Sequence, residues 1–246
     1  MERGRPPTRQ RVSRRRLLTG VSSVGLGALV TACAGKNAVT TSTGETVALQ
    51  AVTDADLTAL FTGARTCTLT ASTTQGPYYF DADKIRSDVR EDKQGTKLRL
   101  ALQVQDSETC KPIPHAVVEI WHCDAGGTYS GVQGDTGMFL RGVQRTDAKG
   151  VAAFKTIYPG WCPGRTVHIH TMVHLGGTVV HTGQLYFPDG VTDVVYARAP
   201  YNRRPSHTTR NAADSIYRNG GKRSTLRLVR NGSAYVGSIT MGVQRS

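Results

Sequence analysis

The stretch that most constrains this chain runs from Thr156 to Met172 and reads T-I-Y-P-G-W-C-P-G-R-T-V-H-I-H-T-M. Its two Pro-Gly pairs, Pro159-Gly160 and Pro163-Gly164, cannot continue a helix and impose an irregular turn. After the second pair, the β-branched Val167, Ile169 and Thr171 alternate with His168 and His170, a pattern that favours a strand. In a strand, residues two apart share a face, roughly 6.6 Å apart along the chain. Two imidazoles so placed can converge on one metal ion. The plainer alternative is a pair of ordinary strand histidines with satisfied ring nitrogens.

Short strands fill the rest of the chain. Leu98, Leu100, Leu102 and Val104 alternate with Arg, Ala and Gln, the signature of a half-buried strand. Val117 to Cys123 is a nearly continuous apolar run around Glu119, and Asp147-Ala148-Lys149-Gly150 is a tight turn leading to Val151, Phe154 and Ile157. Strands over 179–187, 226–229 and 235–243 complete the set, with Gly, Pro, Asn and Asp between them. This spacing predicts an all-β chain folded as an antiparallel β-sandwich with long loops. One short N-terminal helix is expected where Thr53-Asp54-Ala55-Asp56 precedes Leu57, Leu60 and Phe61. Residues 196–222 read as a long irregular excursion. There is no internal repeat and no sign of a second domain.

The N-terminus reads as an address. Ser13-Arg14-Arg15-Arg16-Leu17-Leu18 is a twin-arginine pattern, and the apolar run from Leu17 to Ala32 is too short and too rich in Gly and Ser for a comfortable membrane span. Cys33 follows the small residues Thr31 and Ala32, as in a bacterial lipobox, where that cysteine is lipidated. The expected organisation is therefore a signal over 1–33, a flexible tether over 34–50 and one domain over 51–246. The chain is expected to be exported, as a cell-envelope lipoprotein or in secreted form, touching the membrane surface through its N-terminus. The leader carries seven Arg and one Glu, so of the formal +13 net charge +7 stays outside it. That modest excess is spread along the chain with no DNA- or RNA-binding motif, which argues against a nucleic-acid partner. Beyond Cys33 the cysteines are Cys67, Cys110, Cys123 and Cys162. An even number suits an oxidising compartment, with Cys67–Cys110 as the first pairing to consider.

Three further pieces bear on the histidine strand. Glu119 to Ser130, E-I-W-H-C-D-A-G-G-T-Y-S, is a buried strand running into a glycine-rich loop that presents Tyr129. Gln184-Leu185-Tyr186-Phe187 sits on the strand after the histidines. Gln75-Gly76-Pro77-Tyr78-Tyr79-Phe80 is a turn with paired aromatics upstream of the first strand. With Phe139-Leu140-Arg141-Gly142, these segments resemble the intradiol ring-cleavage dioxygenases, from about Leu69 through Val243. The likeness is to exported, single-domain members of that family, whose sandwich is transthyretin-like.

The resemblance implies a non-haem Fe(III) cofactor held by two tyrosinates and two histidines. It implies an aromatic diol and O2 as substrates and a cis,cis-muconate-type diacid as product. By motif, Tyr129, His168 and His170 would be metal ligands. Arg165 would stabilise negative charge on the bound ring, Gln184 would stand near the metal, and Tyr78 and Tyr79 would line the pocket mouth. Phenolates are hard anionic donors suited to ferric iron.

One position departs from the family. Where the phrase around Pro159-Gly160-Trp161 calls for the second tyrosine ligand, this chain has Cys162. Four outcomes stand open: a site with two His, one Tyr and Cys162; a three-ligand site with water; a degenerate site; and pairing of Cys162 with Cys123. Tyr158 is a conceivable substitute ligand at a position that aligns with a non-ligand. A non-catalytic, tethered β-sandwich binding protein is the alternative of another class, and a Zn or Cu site on His168 and His170 a third reading.

Overall fold

The structure, a computed structural model, describes residues 68–245 apart from 83, 133 and 206–208. It also describes 57, 60 and 61 and the strand backbone at 38–40 and 46–48. Cys33, Cys67 and the capping residues 53–56 lie outside the described residues. Inside the segment read as a tether, β1 (Ala38–Thr40) pairs antiparallel with β2 (Thr46–Ala48). The β-branched Val39, Thr40, Thr46 and Val47 favour that strand pairing.

The domain is built on β3 (Lys97–Asp106), β4 (Val117–Trp121), β5 (Arg141–Arg145), β6 (Val151–Ile157), β7 (His168–Leu175), β8 (Thr178–Tyr186), β9 (Arg227–Asn231) and β10 (Ala234–Val243). They form two four-stranded sheets, ordered β6-β3-β10-β9 and β5-β4-β7-β8. The ladders between these strands are antiparallel with one exception. β10 runs parallel to β3, from Tyr235 opposite Leu98 to Val243 opposite Asp106. Parallel neighbours need a long crossover, and here nearly the whole domain serves as that crossover.

The alternation read from sequence sets the core. Leu98, Leu100, Leu102 and Val104 turn inward from the first sheet and meet Val118, Ile120, Ile169, Val173 and Leu185 from the second. Each such side chain contributes roughly 1.5–3 kcal/mol by leaving water. The outer face of the first sheet is also covered, because Leu57, Leu60 and Phe61 pack on Ala101, Val151 and Ala153. Since strand side chains alternate, packing Ile169 inward sends His168 and His170 to the opposite face of the second sheet. That face is roofed by a separate cluster of Trp121, Cys123, Tyr129 and Met172, with Tyr78, Tyr79 and Cys162 against it.

Two expectations need correcting. β5, R-G-V-Q-R, was not anticipated, because a single apolar residue gives no alternation to read. The excursion over 196–222 is also more ordered than its composition suggests. After α1 (Asp189–Tyr196) come three single-turn 3-10 segments and α2 (Ser215–Arg218). α2 is too short to show helical periodicity, yet Asp214 caps it by accepting from the amides of Ile216 and Tyr217 at 2.8 and 3.0 Å. No helix among the described residues is long and apolar enough to cross a membrane.

Candidate metal centre

β7 brings the two histidines to one point. The Nε2 atoms of His168 and His170 are 3.1 Å apart. His168 Nδ1 lies 2.7 Å from the carbonyl oxygen of Thr166. A carbonyl only accepts, so the proton sits on Nδ1 and Nε2 keeps its lone pair. Burial, with Arg165 nearby, pushes His168 down to about 4. Burial and the neighbouring His168 hold His170 well below the usual imidazole range. Both rings are thus neutral at pH 7, as metal ligands must be. Two nitrogens bound to one ion at about 2.1 Å and at right angles stand about 3 Å apart, so the observed separation fits a shared cation.

The His170 ring is held flat. It stacks on Trp121 with centroids 5.0 Å apart and 6° between planes. On another side Gly76 closes on it with φ +72°, and a Cβ there would come 3.0 Å from His170 Cε1. His170 Nδ1 is buried with no hydrogen-bond partner. Strand register sets the surroundings: Arg141, Trp121, His170 and Gln184 form one row across β5, β4, β7 and β8, and Tyr186 lies opposite His168.

Beside this row is a polar network. Arg165 Nη2 donates to Gln184 Oε1 at 2.6 Å, and Arg165 Nε donates to Asp214 Oδ2 at 2.8 Å. The same carboxylate oxygen accepts from the Thr166 amide at 2.9 Å. Gln184 Oε1 also accepts from the Tyr186 hydroxyl, while its Nε2 donates to the Thr74 carbonyl. The guanidinium of Arg165 is therefore fixed on two sides, a quarter exposed beside a fully buried aspartate. Burial pushes Asp214 up, but the Arg165 hydrogen bond and the amides of Thr166 and Tyr217 outweigh it and leave its pKa below the usual value.

The third component is the loop after β4. Asp124 turns it, accepting at Oδ1 from the amides of Gly126 and Thr128. Tyr129, 4 % exposed, lies against Tyr78 and His170, with centroids 4.7 and 6.1 Å away. Arg141 fastens the loop to the sheet, donating from Nε to Ser130 Oγ and from Nη2 to the carbonyls of Ser130 and Tyr78. Burial holds Arg141 down to about 10. The phenol of Tyr129 and the thiols of Cys123 and Cys162 share one cluster, in which Cys162 Sγ donates to the Gly127 carbonyl at 4.0 Å. Burial and then those two sulfurs push the Tyr129 phenol up, whereas the Cys123 contact and Arg204 lower Cys162.

Comparison with known proteins places this geometry. The family model described as "Dioxygenase" matches residues 74–201, about half of the chain. A solved intradiol ring-cleavage dioxygenase from Tetranychus urticae superposes with a TM-score of 0.70 at 34 % identity, over 72 % of this chain and 95 % of its own. This chain is a member of the intradiol ring-cleavage dioxygenase family. The dioxygenase domain of a carbohydrate-binding fusion from Streptomyces sp. SirexAA-E superposes with a TM-score of 0.58 at 28 % identity, over 72 % of this chain and 99 % of that one. The hydroxyquinol 1,2-dioxygenase of Corynebacterium glutamicum is 29 % identical over 125 residues, 42 % of this chain and 41 % of that protein. The match thus spans less than half of that curated relative. At the coarse level the family is one of oxidoreductases acting as dioxygenases, and the non-catalytic binding reading is not favoured.

Within this family the structure sorts the candidate residues. It gathers His168, His170, Tyr129, Tyr78, Arg165 and Gln184 around one face. Tyr79 stands one step away, packed on Trp121 with its hydroxyl 3.4 Å from Glu119. Tyr158 is no substitute ligand, for it sits in the main core with its hydroxyl on Thr192. Among the described residues no three His, Cys, Asp or Glu side chains gather as a metal cluster. A cysteine reaches much less far from its Cα than the tyrosine it replaces. Sequence reasoning missed Asp214, Ser130 and the role of Arg141. Asp214 had left a trace, an aspartate directly before a helical turn.

Proposed function

We propose that this chain is a non-haem Fe(III) intradiol dioxygenase that opens a catechol-type ring with O2 to a cis,cis-muconate-type diacid. The observation that carries the reading is the convergence of His168 Nε2 and His170 Nε2 to 3.1 Å beside Tyr129. His168, His170 and Tyr129 would hold the iron. Bound there, the metal would supply Lewis acidity to an aromatic diol.

The rest falls to the chain. The fixed guanidinium of Arg165 offers preorganised positive charge to an anionic ring, and Asp214 and Gln184 keep it from turning away. Tyr78 and Trp121 add apolar surface beside Tyr129 and His170. We further propose that residues 1–33 export the chain, with Cys33 as lipid anchor, that 34–50 link anchor to domain, and that 51–246 carry the chemistry.

The test is metal content and a visible spectrum of the purified protein, without and then with catechol. Near-stoichiometric iron, with a tyrosinate-to-iron band that shifts on adding catechol, supports the proposal, as does a muconate-type product formed with oxygen uptake. No iron after iron-replete expression, and no band on reconstitution, would refute it.

A further inference from the structure

Cys123 and Cys162 lie 39 positions apart in sequence, yet both are free and both belong to the cluster that roofs the histidine face. The backbone holds their segments close. Gly160 donates its amide to the Asp124 carbonyl at 3.0 Å, and a Cβ at Gly160 would lie 2.4 Å from that oxygen. The two segments that carry the thiols are therefore packed main chain on main chain. Arg204 adds a clamp by donating to the Trp161 carbonyl at 3.0 Å while lying over the Trp161 ring. Cys123 is buried and Cys162 half-buried, so Cys162 is the more accessible of the pair.

We propose that Cys123 and Cys162 are an oxidative modification site, closing to an intramolecular disulfide that takes Cys162 away from Tyr129. The oxidant is a low-molecular-weight disulfide. The more accessible Cys162 sulfur attacks it as a thiolate, forming a mixed disulfide and releasing one thiol. The Cys123 sulfur, on losing its proton, attacks the Cys162 sulfur, and the second thiol leaves. Two protein thiols and one external disulfide thus become one protein disulfide and two external thiols, with two electrons passed to the oxidant. In the closed form the Cys162 sulfur is drawn to Cys123 and no longer packs on the Tyr129 phenol in the same way. The consequence for iron rests on the proposed function; the disulfide itself does not.

The experiment is equilibration of the full chain with glutathione buffers from reducing to oxidising, followed by alkylation and peptide mass mapping. Cys123 and Cys162 should lose alkylation together and appear as one cross-linked peptide pair. In C123S the same oxidising buffer should leave glutathione on Cys162, and circular dichroism checks that this variant folds. Continued alkylation of both thiols in the oxidising buffer, or a glutathione adduct persisting on parental Cys162, would overturn the proposal. This readout needs no metal, so it stands apart from the fate of the dioxygenase reading. In iron-loaded protein the tyrosinate band should shift between the two redox forms, and an unchanged band would overturn the link to Tyr129.

Discussion

Replacing Asp214 with Asn tests whether a buried carboxylate is what holds the candidate catalytic arginine. Asp214 accepts four hydrogen bonds, two from the α2 cap at Ile216 and Tyr217 and two from Arg165 Nε and the Thr166 amide. The asparagine oxygen can keep the cap pair, but the amide nitrogen then confronts two donors with its own hydrogens. Hydrogen bonds to charged groups contribute about 1.5–3 kcal/mol each, and Arg165 is a quarter exposed, which discounts its share. The expected cost is about 2–4 kcal/mol, on the order of 5–15 °C in Tm for a domain of this size. The carboxyl is held below its ordinary pKa, so its contribution is complete above about 3.9 and fades as pH falls through the folded-state value. The Tm gap between parent and D214N should therefore be wide at pH 7 and narrow as pH falls below about 3.9. Thermal melts of both proteins across that range give the answer. Equal Tm values at pH 7, or a gap that does not change with pH, would refute the argument.

Three other outcomes are expected. H168Q should retain the far-ultraviolet spectrum of the parent but lose metal affinity by more than the roughly 100-fold typical of second-layer changes, read by metal titration. G76A should lower stability by about 1–3 kcal/mol, since a side chain is strained at φ +72° and its Cβ crowds His170; denaturant melts and metal titration should show both losses. In metal-free protein, burial holds His122, His168 and His181 down to about 4, against about 6.5 unfolded. Between those values the unfolded chain binds more protons, so stability should be full above pH 6.5 and fall toward pH 4; a flat Tm over that window would contradict the buried neutral state.

How much of this was legible depended on the range of the signal. The leucines of β3 and the histidines of β7 alternate within a few residues, and their faces could be read directly. β5 has no such pattern, because Arg141 is buried on the histidine face, partly through a hydrogen bond to the Tyr78 carbonyl, 63 residues away. The β3–β10 pairing joins the beginning of the sandwich to its end, a closure that no local pattern encodes. Tyr129, Arg165 and Gln184 were found by family likeness. Asp214 escaped because its partner Arg165 lies 49 residues earlier.

Cys162 shows the limit most sharply. From sequence, a cysteine in place of a ligand tyrosine invites substitution of one donor for another. In three dimensions the thiol packs on the cluster that holds Cys123 and Tyr129, beside the Gly160–Asp124 contact, and its hydrogen bond goes to the Gly127 carbonyl. The substitution therefore changes what packs against Tyr129. C162Y restores the longer side chain but also removes the thiol beside Cys123, so it alters two things at once. C123S leaves Cys162 in place and alters only its partner, which makes it the sharper probe of what this residue does.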